Sequence, residues 1–145
     1  MSAPVFHRLT VSDVTAETDD SVAVTFAVPS ELAGDFAYLP GQHVTVRAII
    51  DGEDVRRSYS ICADASTSVL RVGIKQLPGG AFSTWATTDL RVGDELEVMP
   101  PVGEFTITPE PGQARHYGAI AAGSGITPVL SLVATVLAVE PESRF

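Results

Sequence analysis

Apolar and polar residues alternate with a period of two along much of the first hundred positions. Val22, Val24 and Phe26 interleave with Ser21, Ala23 and Thr25, the pattern of a strand with one buried face. Val44, Val46 and Ala48 repeat it, and Asp51-Gly52 supplies a hairpin turn into a strand over residues 54–61. Leu70, Val72 and Ile74 alternate with Arg71, Gly73 and Lys75, and Leu96 and Val98 begin a short strand after the turn Val92-Gly93-Asp94. Short strands separated by turn signals predict a mainly β fold, a closed antiparallel barrel rather than an open sheet. One short helix over 81–87 is expected to cap it, with Trp85 as a core anchor.

The texture changes after the linker Pro109-Glu110-Pro111-Gly112-Gln113. Tyr117 to Ala121 reads as a fully buried strand and Pro128 to Val139 as a helix, with Pro128 in its first turn and Pro141 past its end. The pattern divides the chain at 1–112 and 113–145, the second part resembling the first strand and helix of an α/β nucleotide-binding domain. That helix is apolar all round before Glu140, so it is expected to expose a large apolar patch and to self-associate or dock onto the barrel. We therefore read the chain as a fragment of a longer protein.

With 145 residues, 45% of them hydrophobic and 19% charged, the chain can bury a core and is not of disordered composition. Its net charge of −9 argues against nucleic acid or an anionic membrane as partner. Cys62 is the only cysteine, which excludes an internal disulfide, a zinc finger or an iron–sulfur cluster on this chain's own thiols; no metal site is expected. Cys62 reads as a small buried apolar residue. No signal peptide is visible, because Arg8 interrupts the N-terminus, and the late helix is too short to span a bilayer. A cytoplasmic location is expected.

Candidate chemistry concentrates in three places. In Arg57-Ser58-Tyr59-Ser60, strand alternation puts the guanidinium and the ring on one face, suited to a ligand with both phosphate and a planar heterocycle. In Lys75-Gln76-Leu77-Pro78-Gly79-Gly80-Ala81-Phe82-Ser83, two glycines let the chain curl. The amides of Gly80, Ala81, Phe82 and Ser83 can then face an anion at a helix start, with the Ser83 hydroxyl beside them. In Ala121-Ala122-Gly123-Ser124-Gly125-Ile126-Thr127-Pro128, a glycine turn joins strand to helix, again a phosphate-binding arrangement. An anionic ligand needs local positive charge, and Arg56, Arg57, Arg71 and Lys75 are expected to cluster around the site.

Arg-x-Tyr-Ser, Gly-Gly-x-x-Ser and Gly-x-Gly-x-Thr-Pro in that order, with Pro40-Gly41-Gln42 and Pro101-Val102-Gly103-Glu104-Phe105 as landmarks, resemble the ferredoxin-NADP reductase superfamily. Within it the chain looks most like the reductase components of phenylacetyl-CoA epoxidase and aromatic-ring oxygenase systems. The resemblance implies a six-stranded Greek-key barrel binding FAD, NAD(P)H as co-substrate, and an iron–sulfur or oxygenase electron acceptor. It implies that Arg57 pairs with the pyrophosphate, Tyr59 stacks on the isoalloxazine, and Ser58 belongs to the same motif. Ser60 would act near flavin N5, and the backbone of Val72, Ile74 and Lys75 would line the ribityl and adenosine path. Gly79, Gly80, Ala81, Phe82 and Ser83 would form the phosphate cradle. Gly123, Ser124 and Gly125 would receive the nicotinamide dinucleotide, with Thr127 near both rings. Ser60 and Thr127 are the catalytic candidates, hydride passing from nicotinamide to flavin. The residues alone leave open a non-catalytic acidic barrel acting as an interaction module, or another superfamily member such as a siderophore-iron reductase.

Overall fold

The computed structural model describes residues 5–145; residues 1–4, where the N-terminus was read for a leader, lie outside the described part. Six strands, β1 His7–Thr18, β2 Ser21–Ala27, β3 His43–Ile50, β4 Glu53–Ser60, β5 Leu70–Lys75 and β6 Glu95–Val98, form one antiparallel sheet in the order β4-β3-β6-β1-β2-β5. Its two outer strands meet through a bridge between Ile61 and Val72 and the bond from Cys62 N to Arg71 O at 2.9 Å. That contact closes the sheet into a barrel. Leu9, Val24, Val44, Val72 and Val98 are fully buried inside it.

The periodic strands fall where alternation puts them, but β1 is longer than any of them and is not picked out by period. Leu9 and Val11 are buried, then the register slips between Val11 and Asp13, so Val14 takes the next inward position. A bulge adds one residue and breaks a strict period of two. At the β3–β4 turn Asp51 and Gly52 both have positive φ, 51° and 83°, the primed hairpin geometry that matches strand twist.

Helix α1, Ala81–Thr88, covers one end of the barrel. Phe82 is fully buried and meets Trp85 edge-on at 5.6 Å. Gly41 (φ 98°) sits where a Cβ would collide with the Phe105 carbonyl oxygen, so the Pro40-Gly41-Gln42 and Pro101–Phe105 landmarks are packed on one another. Gln42 is structural: it accepts from Leu39 N at 2.9 Å and donates to Gly103 O at 3.3 Å.

The second part corrects one expectation. Tyr117 to Ala121 is not a buried strand; its residues are half-buried or exposed, and Ile120 is fully so. Only its start has a partner, through the parallel bridge His116–Arg144 and the bond from Tyr117 N to Arg144 O at 2.8 Å. A strand is buried only when neighbours flank it, and among the described residues none does beyond that bridge. Helix α2, Ile126–Val139, starts two residues before the expected position. It docks one side onto the barrel rather than standing free. Leu132 and Val136 are buried, Ser131 Oγ donates to Ala63 O at 2.6 Å, and Thr135 Oγ1 accepts from Ala65 N at 2.9 Å. Its other side leaves Ile126, Leu130 and Leu137 exposed. No helix among the described residues is long and apolar enough to cross a membrane.

Glu140, just past α2, is fully buried. Its carboxylate accepts from Ser143 Oγ (2.7 Å), Glu110 N (3.0 Å), Tyr117 OH (2.9 Å) and Arg115 Nη1 (3.3 Å). The Ser143 hydroxyl and Glu110 amide, with Tyr117 and Arg115, hold its carboxyl below the ordinary 4.5.

Two outcomes follow. Gly41→Ala should destabilise by more than about 1 kcal/mol, from positive φ and collision together, seen as a lower urea midpoint by Trp85 fluorescence. A carboxyl with a lowered folded pKa contributes stability above its ordinary value and loses it as pH falls through the folded one. Exchange protection of the Tyr117 and Arg144 amides should therefore be level above pH 4.5 and decline below it, and Glu140→Gln should flatten that dependence.

Candidate functional site

β4 and β5 touch at Ile61–Val72 and then part. Backbone groups in a strand point to alternate sides. Ile61 N bonds to Gln42 O toward β3 and Gln76 N to Asp20 O toward β2, while Cys62 N and Arg71 O face each other across the closure. By the same alternation, the amides and carbonyls of Ser58 and Ser60 on β4 and of Gly73 and Lys75 on β5 look into the gap between the strands. This corrects the expected edge: Val72 and Ile74 turn their backbone groups to β2 and their side chains into the core. A cleft of about 1150 Å³ occupies the gap, lined by Ser58, Tyr59, Ser60, Gly73, Ile74 and Lys75, with Gly123, Ser124 and Thr127 on the facing wall.

Tyr59 and Arg57 lie opposite the core valines Val44 and Val46, which places both on the inner face of β4. Tyr59 packs on Phe82 at 5.8 Å. Burial raises its phenol above the ordinary 10.0, against the opposing pull of Arg57, so the ring is neutral at physiological pH. Ser58 faces the other way and shares a 3.0 Å hydrogen bond with Thr45. Ser60 lines the cleft with no side-chain hydrogen bond among the described residues.

The four cations do not act as one cluster. Arg56 bonds Asp54 at 2.9 Å and lies over the Phe6 ring. Arg71 pairs with Glu17 at 3.6 Å and Lys75 with Asp20 at 3.5 Å. Among the described residues Arg57 alone of the four has no carboxylate within ion-pair distance; its Nη1 donates to Arg56 O at 2.6 Å.

The glycine turn before α1 is tighter than its sequence implies. Gly79 has φ 73°, and Gly80 N donates to Leu77 O at 2.9 Å. The Ser83 hydroxyl is buried, accepting from Leu77 N at 3.0 Å and donating to Gly80 O at 3.4 Å. Ser83 therefore closes the turn instead of facing a ligand, and the Phe82 ring belongs to the core. The amides of Ala81, Phe82 and Ser83 remain as the open helix start, with no acidic residue in the first turn. Gly79, Gly80 and Ala81 border a separate cavity of about 370 Å³ with Ile50, Asp51 and Trp85. Arg57 lies along β4 between Asp51, beside this cavity, and Ser58, beside the cleft.

Gly123, Ser124 and Gly125 form one 3₁₀ turn leading into α2, and Thr127 Oγ1 bonds Ser124 O at 3.0 Å. Gly73 was not among the expected site residues, yet its missing side chain lets α2 approach: a Cβ there would lie 3.2 Å from Thr127 Cγ2. Its only sequence signal is a glycine at an outward strand position. Cys62 also borders the cleft; burial leads in raising its thiol above 9.0, as for an inert residue.

The residue pattern of the oxidoreductase FAD-binding domain matches positions 8–107. The chain is 49% identical over 97% of its length to a component of the 1,2-phenylacetyl-CoA epoxidase of Escherichia coli, and 41% identical over 89% to the ferredoxin reductase component of 3-ketosteroid-9-alpha-monooxygenase of Rhodococcus rhodochrous. It spans only 39% and 36% of those two proteins. Among solved structures, an Amycolatopsis cytochrome P450 reductase superposes with a TM-score of 0.73 at 27% identity, over 97% of this chain and 42% of that one.

Proposed function

Because this chain belongs to the oxidoreductase FAD-binding domain family, we propose that it is the FAD-binding part of an NAD(P)H-dependent reductase that delivers electrons to an iron–sulfur or oxygenase partner. The observation that carries this reading is the open seam between β4 and β5. The unpaired strand edges and the neutral Tyr59 ring line the cleft, and the open amides of α1 border the separate cavity at Gly79, Gly80 and Ala81. Arg57, with no carboxylate partner among the described residues, lies on β4 between them; on our reading one extended ligand joins the two along a single path. Such a path suits an extended dinucleotide better than a mononucleotide, since a second phosphate and an adenosine need somewhere to rest. Bound FAD supplies electron-pair acceptance from a nicotinamide and one-electron release, chemistry that belongs to the cofactor.

The chain's own residues bind, orient and exclude water. Arg57 neutralises the pyrophosphate through paired hydrogen bonds, aided by the Ala81, Phe82 and Ser83 amides. Tyr59, backed by Phe82, is a rigid platform for a flat ring. Ser58, Ser60, Gly73 and Lys75 offer backbone groups, and the Ser60 hydroxyl is a free donor at the ring's edge. The Gly123–Gly125 turn and Thr127 form the wall on which the nicotinamide nucleotide docks. Residues 113–145 are, on this reading, the opening strand and helix of the nucleotide-binding part, for which the parallel bridge between His116 and Arg144 across α2 speaks. The relatives' roles as oxygenase-system components support the acceptor class, and a cytoplasmic setting fits such a role.

The purified chain should be yellow or turn so with FAD, which should quench Trp85. Arg57→Ala should weaken FAD binding by about 1.5–3 kcal/mol, as for a charge-assisted bond; undiminished flavin retention rules the assignment out. Ser60→Ala should spare FAD affinity and slow flavin reduction by NAD(P)H in a reductase carrying this segment, and an unaltered rate would exclude its role.

A further inference from the structure

The cavity beside α1 has a lining unlike that of the cleft. Trp85 is only partly buried: Phe82 holds its indole edge-on at 5.6 Å, and the indole also borders the cavity. Ile50 and Asp51 reach the cavity from the tip of the β3–β4 hairpin, and Thr84 and Asp89 reach it from α1 and its C-terminal end. An unbroken ladder from His43–Ser60 to Ile50–Glu53 fixes the position of that tip. The volume, about 370 Å³, falls in the range of small-ligand pockets, roughly 300–1,000 Å³.

No lysine or arginine lines this cavity; its functional side chains are two carboxylates, a hydroxyl and an indole. Carboxylates accept hydrogen bonds and repel phosphate, whereas an indole stacks on flat rings. The fitting guest is therefore a planar group that donates hydrogen bonds and carries no negative charge of its own. Gly79, Gly80 and Ala81 bound the cavity on the side of the open α1 amides. A pyrophosphate held there and by Arg57 leaves the group on its far side at the cavity.

We propose that this cavity receives the adenosine of FAD, with Trp85 as the stacking platform for the adenine and Asp51 and Asp89 as acceptors for its amine and the ribose hydroxyls. The proposal rests on the flavin-dinucleotide reading above and adds the residues that prefer FAD to FMN. FMN ends at a single phosphate and has nothing to place here, so these contacts reward only the dinucleotide.

The test compares FAD with FMN on the 145-residue chain by calorimetric titration, the readout being the ratio of the two affinities. Trp85→Leu, which keeps an apolar contact for Phe82, should lower FAD affinity by about five- to 150-fold, as for one lost stacked base, and leave FMN affinity unchanged. Asp51→Gly, which suits the positive φ at that position, should lower FAD affinity by about two- to tenfold and also spare FMN. In the parent chain ADP should quench Trp85 fluorescence and inorganic pyrophosphate should not. An FAD-to-FMN ratio that is the same in the parent and in both variants overturns the proposal and leaves the flavin reading standing. ADP that quenches no better than pyrophosphate does the same. A parent chain that binds neither flavin sinks the flavin reading itself, and this proposal with it.

Discussion

The incomplete closure of the barrel governs what this molecule can do. Backbone amides and carbonyls on a strand edge must find partners in protein, water or a ligand. Five of the six neighbouring strand contacts are ladders, whereas β4 and β5 share a single bridge at Ile61–Val72. Beyond it β4 carries Arg57, Ser58, Tyr59 and Ser60, and a complete ladder there would have consumed the edges the cleft exposes. The rest of the barrel holds that gap open. Phe82 and Trp85 plug the end beneath Tyr59, and Gly41 and Phe105 interlock at β3.

The facing wall depends on a second set of contacts, made by polar atoms inside an apolar helix. Ser131 and Thr135 lie one turn apart and bond to Ala63 and Ala65, in the loop between β4 and β5. The same loop is tied to Tyr38, whose hydroxyl donates to Val69 O at 2.7 Å and whose phenol burial holds well above its usual range. The seam and the Gly123–Thr127 turn are therefore anchored to one short stretch of chain. Glu140 fixes the other end of α2 by gathering four donors around one buried carboxylate. A buried charge persists only when it is so surrounded.

Electrostatically the chain solves an apparent contradiction. Its net charge of −9 repels anions at long range, yet the reading proposed above gives it an anionic ligand. Pairing resolves this at short range: Arg71 and Lys75 are masked by neighbouring carboxylates, Arg56 is diverted to Asp54, and Arg57 is left open. Proximity of basic residues in sequence did not predict this division, because which carboxylate reaches which cation depends on how strands and turns are set side by side.

Local period and local chemistry were legible in the amino-acid order. The strands around Val24, Val46 and Val72, the Asp51-Gly52 hairpin, the capping helix and the glycine turns that lead into α1 and α2 depend on near neighbours, and near neighbours are what a linear pattern records. β1 escaped because its bulge shifts the alternation midway. Only the tertiary structure could decide that Tyr117–Ala121 stays uncovered, that Ser83 is spent on Leu77 and Gly80, and that Gly73 rather than Val72 faces the cleft. Each of these turns on which other segment lies alongside, and burial and hydrogen-bond partnership are properties of that encounter rather than of the residue.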